Sequence, residues 1–593
     1  MEDYNKMDIQ LINTPNPTWG GVEQILYNRG IAPAAAYHYL HTTDEDILSP
    51  EGLGEDKLKK GVQTLLEVID SNQRAALIVD SDCDGFTSSA LLINYLYDLF
   101  PNWTKNNLIY FLHEGKQHGL KDCIDNLIND NYALIICPDS SSNDYEEHEL
   151  LKSKGKEVLV LDHHEADHIS ENAIIINNQL SDYPNKQLSG VGVVWQFCRF
   201  IDILSKTDFA NNYLDLVALG VMADMMSMLS LETKHLITKG FRPENIKNPF
   251  IYYMAEKNRY SLGGHITPMG AAFYIAPFVN AIVRSGALEE KILIFKSMIK
   301  FEALNKIPST KRGHKLGEEE LLVEQAIRTA VNVKNRQTRS QDAGLAFLEN
   351  MIEEQNLLDN KVLLFLLEPG QVDKNIAGLI ANKFMAKYQR PCCILTQVSD
   401  DSGISYQGSA RGCDKVGIIN FKDICEETGV IMYAEGHQGA FGLGIQKSEI
   451  NNFIEKTNEI LKDMPDTAIY SVDYIFKSNN FNSQIILDIA NLEDLWGKDM
   501  DEPYIAFKDF IITSDMVTLM SPDKRPTLKI QLPNGVSLIK FRSSQEEYES
   551  FLSKNGVRVD LVGRCNKNEW NGSISPQIFI EDYEITKTLK YLF

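Results

Sequence analysis

Three short apolar runs in the first third of the chain stop abruptly at acidic or imidazole side chains. AALIV at 75–79 runs into DSDCDG, ALIIC at 133–137 into PDSSS, and VLVL at 158–161 into DHH. Runs this short, alternating with stretches long enough for helices, predict a parallel sheet whose crossovers are helical. Ligands of such sheets sit beyond the carboxyl ends of the strands, and every polar group just named falls at that edge.

At 593 residues the chain is longer than one hydrophobic core serves, so several domains are expected. Its apolar content of 44% and charged content of 24% are those of a globular protein. A net charge of −24 argues against a protein that coats nucleic acid over its whole surface, but leaves room for a cleft that grips phosphates locally. The N-terminus MEDYNKMDIQ lacks the basic-then-apolar pattern of a secretory signal, and no apolar run reaches spanning length. A cytoplasmic protein without a membrane partner is expected. The nine cysteines form no CxxC pair, and Cys392 and Cys393 in RPCCIL read as reduced core residues, which disfavours a disulfide frame or a zinc site.

Residues before 75 read as mostly helical, and the strand–helix alternation then runs to NAIIINN. NKIPSTKRGHKLGEEE and VNVKNRQTRSQ give the next segment a helical, locally basic character. Two further stretches, QGSARG and EGHQGAFGLG, read as Gly-rich turns of a second α/β unit, and β-branched and aromatic runs dominate the tail. The expected division is 1–286, 287–345, 346–465 and 466–593. Met225, Met226 and Met228 read as core packing at helical spacing.

Asp80, Asp82 and Asp84 occupy alternate positions, so an extended backbone sends all three carboxylates to one side. Singly, each reads as a helix cap or turn residue. Capping does not explain the whole set, which adds Asp139, Asp162, His163, His164 and an Asp224 that interrupts an apolar helix-like segment. Oxygen and imidazole donors without thiolates suit Mn²⁺ or Mg²⁺. There are more carboxylates than one ion needs, so two ions bridged by a shared carboxylate are expected, the arrangement that activates water for attack at phosphorus.

DSDCDG, PDSSS, DHH and LVALGVMADM, in this order, resemble motifs I to IV of the DHH phosphoesterase superfamily. LSGVGVVWQF and IAPFVNAIVRSG resemble further blocks of that family, and QGSARG with EGHQGAFGLG resemble its DHHA1 domain. The tail GRCNKNEWNGSISPQIFIEDYE is similar to the oligonucleotide-binding (OB) barrel of the RecJ-like single-strand DNA exonucleases. The resemblance implies a DHH lobe with a parallel sheet and a DHHA1 lobe, joined by a helical linker and followed by an OB-type β-barrel. The division above then becomes a DHH domain with an N-terminal helical segment, a connector, a DHHA1 domain and an OB-fold.

The activity implied is metal-dependent 5′→3′ hydrolysis of single-stranded DNA. By the same resemblance Asp82 and Asp84 each hold a different ion, Asp139 bridges them, and His163 and Asp224 complete the second site. Asp80 matches the first aspartate of the motif. His164, Asn280 and Arg284 face the phosphates, and Ser409, Arg411 and His437 take the substrate on the DHHA1 side. Trp570 is a candidate for base stacking. Two departures stand out: Phe278 replaces an arginine of the family, and Glu435 stands where glycine is usual. The rival readings are a phosphodiesterase of short oligonucleotides or cyclic dinucleotides, and a catalytically inactive replication scaffold. A single-strand binding protein, or another replication or repair protein, is the candidate partner.

Overall fold

The structure is a computed structural model that describes residues 7–115, 117–400, 403–465, 467–477, 481–522, 524–570 and 572–589. The chain divides into two compact units: residues 34–336 with 493–501, and residues 1–33, 337–492 and 502–593.

The first unit is built on a five-stranded parallel sheet in the order Leu108–Leu112, Ala75–Val79, Leu134–Pro138, Glu157–Asp162, Ile174–Asn177. Strands covered by helices on both faces read as continuous apolar runs, and all five residues of Ala75–Val79 and of Leu134–Pro138 are buried. The chain starts in the second position, steps outward to Leu108–Leu112, then reverses to Leu134–Pro138. This reversal opens a crevice beyond the carboxyl ends of Ala75–Val79 and Leu134–Pro138. Asp80 and Asp139 emerge there.

The second unit holds a five-stranded sheet in the order Ile431–His437, Ala440–Gln446, Gly403–Arg411, Cys392–Asp400, Leu363–Leu367, in which only the last pair is parallel. Its seven-stranded mixed sheet is centred on the long antiparallel pair Val557–Trp570 and Ser573–Thr588. The α/β parts and the β-rich tail are those expected from the sequence.

Several local expectations are corrected. The N-terminal stretch is not mostly helical throughout: Met7–Leu11 is a strand, parallel to Ala468–Val472, and Asn28 and Arg29 hydrogen-bond the buried Asp473. QGSARG is not a turn: all but its last residue belong to the end of Gly403–Arg411, where Gly408 permits close approach of the neighbouring strand. EGHQGAFGLG forms the facing strands of a hairpin. Met225 is 55% exposed with φ of 56°, because the helix Leu214–Ala223 has already ended, whereas Met228 is fully buried. All nine cysteines are buried free thiols. Among the described residues no helix is long and apolar enough to cross a membrane.

Candidate metal centre

The crevice gathers its ligands from four successive segments. Asp80 leaves the first strand buried, and its Oδ2 lies 2.6 Å from Nδ1 of His118. Asp82 caps the helix Cys83–Leu99, accepting from the Gly85 N–H at 2.8 Å, so the helix-cap reading and the ligand reading of this aspartate coexist. Asp84, one helical step on, is buried and accepts from Ser189 Oγ at 3.0 Å and the Val191 N–H at 3.2 Å, which aims one oxygen and leaves Oδ2 unpaired. Asp139 adopts φ of 65°, with its N–H donated to the Leu161 carbonyl at 2.8 Å.

The DHH turn is organised by Asp162. Its Oδ1 accepts from the His163 N–H at 2.7 Å and from His164 Nδ1 at 2.8 Å, and its Oδ2 accepts from the Ser142 N–H at 3.1 Å. Asp162 thus orients the His164 imidazole, the His163 backbone and the PDSSS loop. Asp224 does not interrupt a helix. It is the C-cap of Leu214–Ala223, which brings its carboxylate to the end of the helix rather than to a face.

His163 Nε2 stands 3.3 Å from Asp139 Oδ1 and 3.4 Å from Asp224 Oδ2 without hydrogen-bond geometry. Both Asp139 oxygens, Asp84 Oδ2, Asp224 Oδ2 and His163 Nε2 are buried and lack hydrogen-bond partners among the described residues. Unpaired buried polar atoms are costly, and five at one place mark a missing common partner. The ligand atoms fall into groups lying within 4.8 Å of one another: Asp84, His163 and Asp224; Asp80, Asp82 and Asp139; and Asp139 with Asp162, His163 and His164. Hard oxygen donors with one or two imidazoles fit Mg²⁺ or Mn²⁺.

The electrostatics agree. Burial, then the charge of Asp82, pushes Asp84 up to about 7. Burial, then Asp84 and Asp82, pushes Asp224 up to about 8. Asp139 is driven well above the carboxylate range by burial and by Asp84, Asp82, Asp80 and Asp224. Burial also raises Asp80, against the hydrogen bond from His118. His163 is pushed down to about 4 by burial and by the charge of His164, so it offers a neutral ring. His164 is pushed up to about 9, first by its hydrogen bond to Asp162, and is a cation at neutral pH. Burial works against ionisation of Asp162, but His164 and His163 hold it at about 2.

A pH dependence follows. In the metal-free chain Asp84, Asp224 and His164 keep protons between pH 7 and 8 that the unfolded chain has lost, near pH 4 for carboxyls and 6.5 for imidazole. Because the folded state binds more protons over this window, its stability falls as pH rises. Melting curves in EDTA should therefore show a lower Tm at pH 8 than at pH 7, and the rise in Tm on adding Mn²⁺ should be larger at pH 8. A flat or rising Tm in EDTA would contradict the crowding of carboxylates.

Asn280 and Arg284 lie one turn apart on the helix Ala276–Ser285. Burial lowers the Arg284 guanidinium and the charge of Asp82 opposes that shift, which places the arginine in the field of the cluster. In the second unit Ser409 and Arg411 alternate on Gly403–Arg411, and both reach Gly378 on the helix Lys374–Tyr388. A Cβ at Gly378 would lie 2.3 Å from Arg411 Nη2 and 3.4 Å from Ser409 Oγ. His437 ends its strand exposed, and Trp570 ends Val557–Trp570 opposite Ser573, its side chain lying outside the described residues.

Sequence reasoning missed His118, Ser189, the anchoring role of Asp162, and Lys291, whose Nζ donates to the carbonyls of His113, Glu114 and Gly115 ahead of His118. The DHH triplet itself signalled Asp162. Ser189 lies inside the quoted block LSGVGVVWQF, and His118 and Lys291 sit on segments with no local mark.

The profile described as the DHH family, N-terminal domain, matches residues 74–221, and that of the RecJ OB domain matches residues 472–582. A Bacillus subtilis prophage-derived protein carrying the name single-strand DNA-specific exonuclease YorK is 32% identical over 585 residues, covering 98% of this chain and 99% of its own. The chain belongs to the RecJ family of single-strand DNA-specific exonucleases. The RecJ of Bacillus subtilis itself is 22% identical over 582 residues, 95% of this chain and 68% of that one. The fold matches the crystal structure of RecJ in complex with Mn²⁺ from Thermus thermophilus, with a TM-score of 0.69 at 17% identity, covering 98% of this chain and 80% of that one.

Proposed function

We propose that the chain is a manganese- or magnesium-dependent exonuclease that hydrolyses single-stranded DNA from the 5′ end. The observation that carries this reading is the set of five buried, unpaired ligand atoms at the sheet's switch point, in a chain whose relatives bear the name single-strand DNA-specific exonuclease. Asp80, Asp82 and Asp139 would hold one ion and Asp84, His163 and Asp224 the other, with Asp139 shared. When bound, the ions supply a nucleophilic water at neutral pH and charge to balance the phosphoryl oxygens.

The chain's own groups do the rest. Asp162 fixes the His164 ring, so that this imidazolium presents Nε2–H to a phosphate oxygen. Arg284 and Asn280 hold neighbouring phosphates. Ser409, Arg411 and His437 take the strand near its 5′ terminus, and the OB region, with Trp570, stacks bases. Single-stranded DNA is the partner this chemistry requires. A single-strand binding protein or another replication or repair protein as a further partner, and a cytoplasmic location, complete the proposal.

Strands labelled at the 5′ or the 3′ end, single or double, DNA or RNA, test it in Mn²⁺, Mg²⁺ and EDTA. The 5′ label should leave first, from single-stranded DNA, and only with metal. Early loss of the 3′ label, or hydrolysis confined to oligomers of a few nucleotides, overturns the reading. Arg411→Ala should raise KM on 5′-phosphorylated strands about tenfold or more while leaving metal affinity unchanged, because a guanidinium supplies a bidentate fork to phosphate. Arg411→Lys should recover part of the loss. If both variants cut at the parent rate, the DHHA1 residues do not take the strand.

A further inference from the structure

The basic stretch after the helix Leu288–Met298 is not part of a helical connector. Lys306–Pro308 and Glu319–Leu321 pair as a two-stranded antiparallel hairpin whose connecting residues, beyond the buried Ser309, are all exposed from 310 to 318. The sequence from Asn305 to Gly317 contains Lys306, Lys311, Arg312, His314 and Lys315 and no acid, in a chain of net charge −24. Of the acids that follow, Glu318 folds back and accepts from the Lys315 N–H at 2.9 Å, and Glu319 is exposed. Glu320, its side chain fully buried, accepts from Arg328 Nη1 and Nη2 at 2.7 and 2.6 Å, from Gln325 Nε2 at 2.9 Å and from the Thr310 N–H at 2.8 Å.

The tip is shaped as well as charged. Ser309 N–H donates to the Glu318 carbonyl at 2.8 Å and His314 N–H to the Lys311 carbonyl at 3.1 Å, and Gly313 and Gly317 both have φ of 82° in open space. Lys311 is spent on Glu320 and Glu324, but Arg312 and Lys315 have no side-chain partner among the described residues, and Leu316 beside them is fully exposed. A hairpin clamped at its base by the ion pair of the buried Glu320 with the part-exposed Arg328, and presenting two uncommitted cations and an apolar side chain, fits a polyanion that also offers base faces.

The location fits the same ligand. Arg328, at the hairpin's base, and Arg336, which donates to Glu290 and to the Ser285 carbonyl beside Arg284, lie on one helix, Leu322–Glu354. Eight residues of helix span about 12 Å and five residues of hairpin at most about 17 Å, and the Arg328–Glu320 and Arg336–Ser285 contacts at either end of that path add several ångströms each, so the tip lies within on the order of 45 Å of Arg284.

We infer that Arg312, Lys315 and Leu316 form a second contact for the single-stranded DNA substrate, with the cations on phosphates and the leucine against bases, engaged only by strands long enough to reach it from the metal centre. This rests on reading the substrate as single-stranded DNA.

The test is fluorescence anisotropy with a phosphorothioate-linked strand of about thirty nucleotides, long enough at about 3.4 Å per nucleotide to reach the tip. It is run in Mn²⁺ across a salt series with the parent, Arg312→Ala/Lys315→Ala, Leu316→Ser, and Lys60→Ala/Lys154→Ala, two exposed lysines elsewhere in the unit. Each lost phosphate contact on a single strand removes about 0.7 from the slope of log K against log salt. The tip double variant should flatten the slope by about 1.4 while cleaving a trinucleotide at the parent rate; Leu316→Ser should weaken binding several-fold at unchanged slope, and the control pair should bind as the parent does. An unchanged slope in the tip variant, parent-like binding by Leu316→Ser, or an equal loss in the control pair overturns the inference. If the parent itself cleaves no DNA yet the tip variant still flattens the slope, the proposed activity fails and the contact stands.

Discussion

Asp139→Asn should abolish cleavage while leaving the metal-free protein at least as stable as the parent. The substitution keeps the size of the side chain and the tolerance for φ of 65° that aspartate and asparagine share. It removes an ionisable carboxyl whose charged form is opposed by burial and by the surrounding Asp84, Asp82, Asp80 and Asp224. Loss of the shared ligand withdraws charge stabilisation worth several kcal/mol, a rate drop of about a thousandfold or more. A residue that mattered only for packing would show the opposite pair of results: a lowered Tm in EDTA and near-parent activity in the folded fraction. Tm with and without Mn²⁺ and single-turnover rates on a labelled strand separate the two. Retention of a tenth of the activity would sink the shared-ligand assignment.

Gly190→Ala should be nearly as damaging, at a residue with no chemistry of its own. Gly190 opens the helix Gly190–Ser205 directly after Ser189, so alanine there improves local helix propensity by up to about 1 kcal/mol. A Cβ at this position, however, would lie 2.2 Å from Asp139 Oδ1 and 2.5 Å from Asp139 Cβ. Comfortable contact begins near 3.5 Å, so the carboxylate must move by about 1 Å, and a displacement of that size at a reacting centre costs about a hundredfold in rate. Circular dichroism should show the fold intact, and kcat should fall about a hundredfold. Activity within threefold of the parent would mean that Asp139 has room to shift without consequence.

The sequence carried the centre further than it carried the structure around it, for a physical reason. Which edge the acids occupy is a local property, because groups that directly follow the strands of a parallel sheet fall at its carboxyl edge; the extended backbone expected through Asp84 is not what gathers the first three, since the strand ends at Val79 and Asp84 already lies in the helix Cys83–Leu99. Asp224 was legible as an anomaly, but its position at a helix end depended on where Leu214–Ala223 stops. Ser189 and Gly190 act across more than a hundred residues of chain on Asp84 and across about fifty on Asp139, and a serine before an apolar helix looks like any N-cap. His118 reaches Asp80 through a loop whose path is set by Lys291, a contact no spacing rule encodes. The glycines of QGSARG suggested a turn, yet Gly408 allows strand approach: a Cβ there would lie 2.1 Å from the Ile394 carbonyl oxygen. Met7–Leu11 was invisible as a strand because its partner, Ala468–Val472, lies at the far end of the chain.

Calorimetric titration of Mn²⁺ into metal-free protein measures most directly whether this crevice is a two-ion centre. The parent should bind two ions per chain with release of protons, more of them bound and released at pH 7 than at pH 8, as Asp84 and Asp224, held near 7 and 8, give up theirs. Asp139→Asn should lose this binding. One ion per chain in the parent, or two ions bound equally well without Asp139, would contradict it.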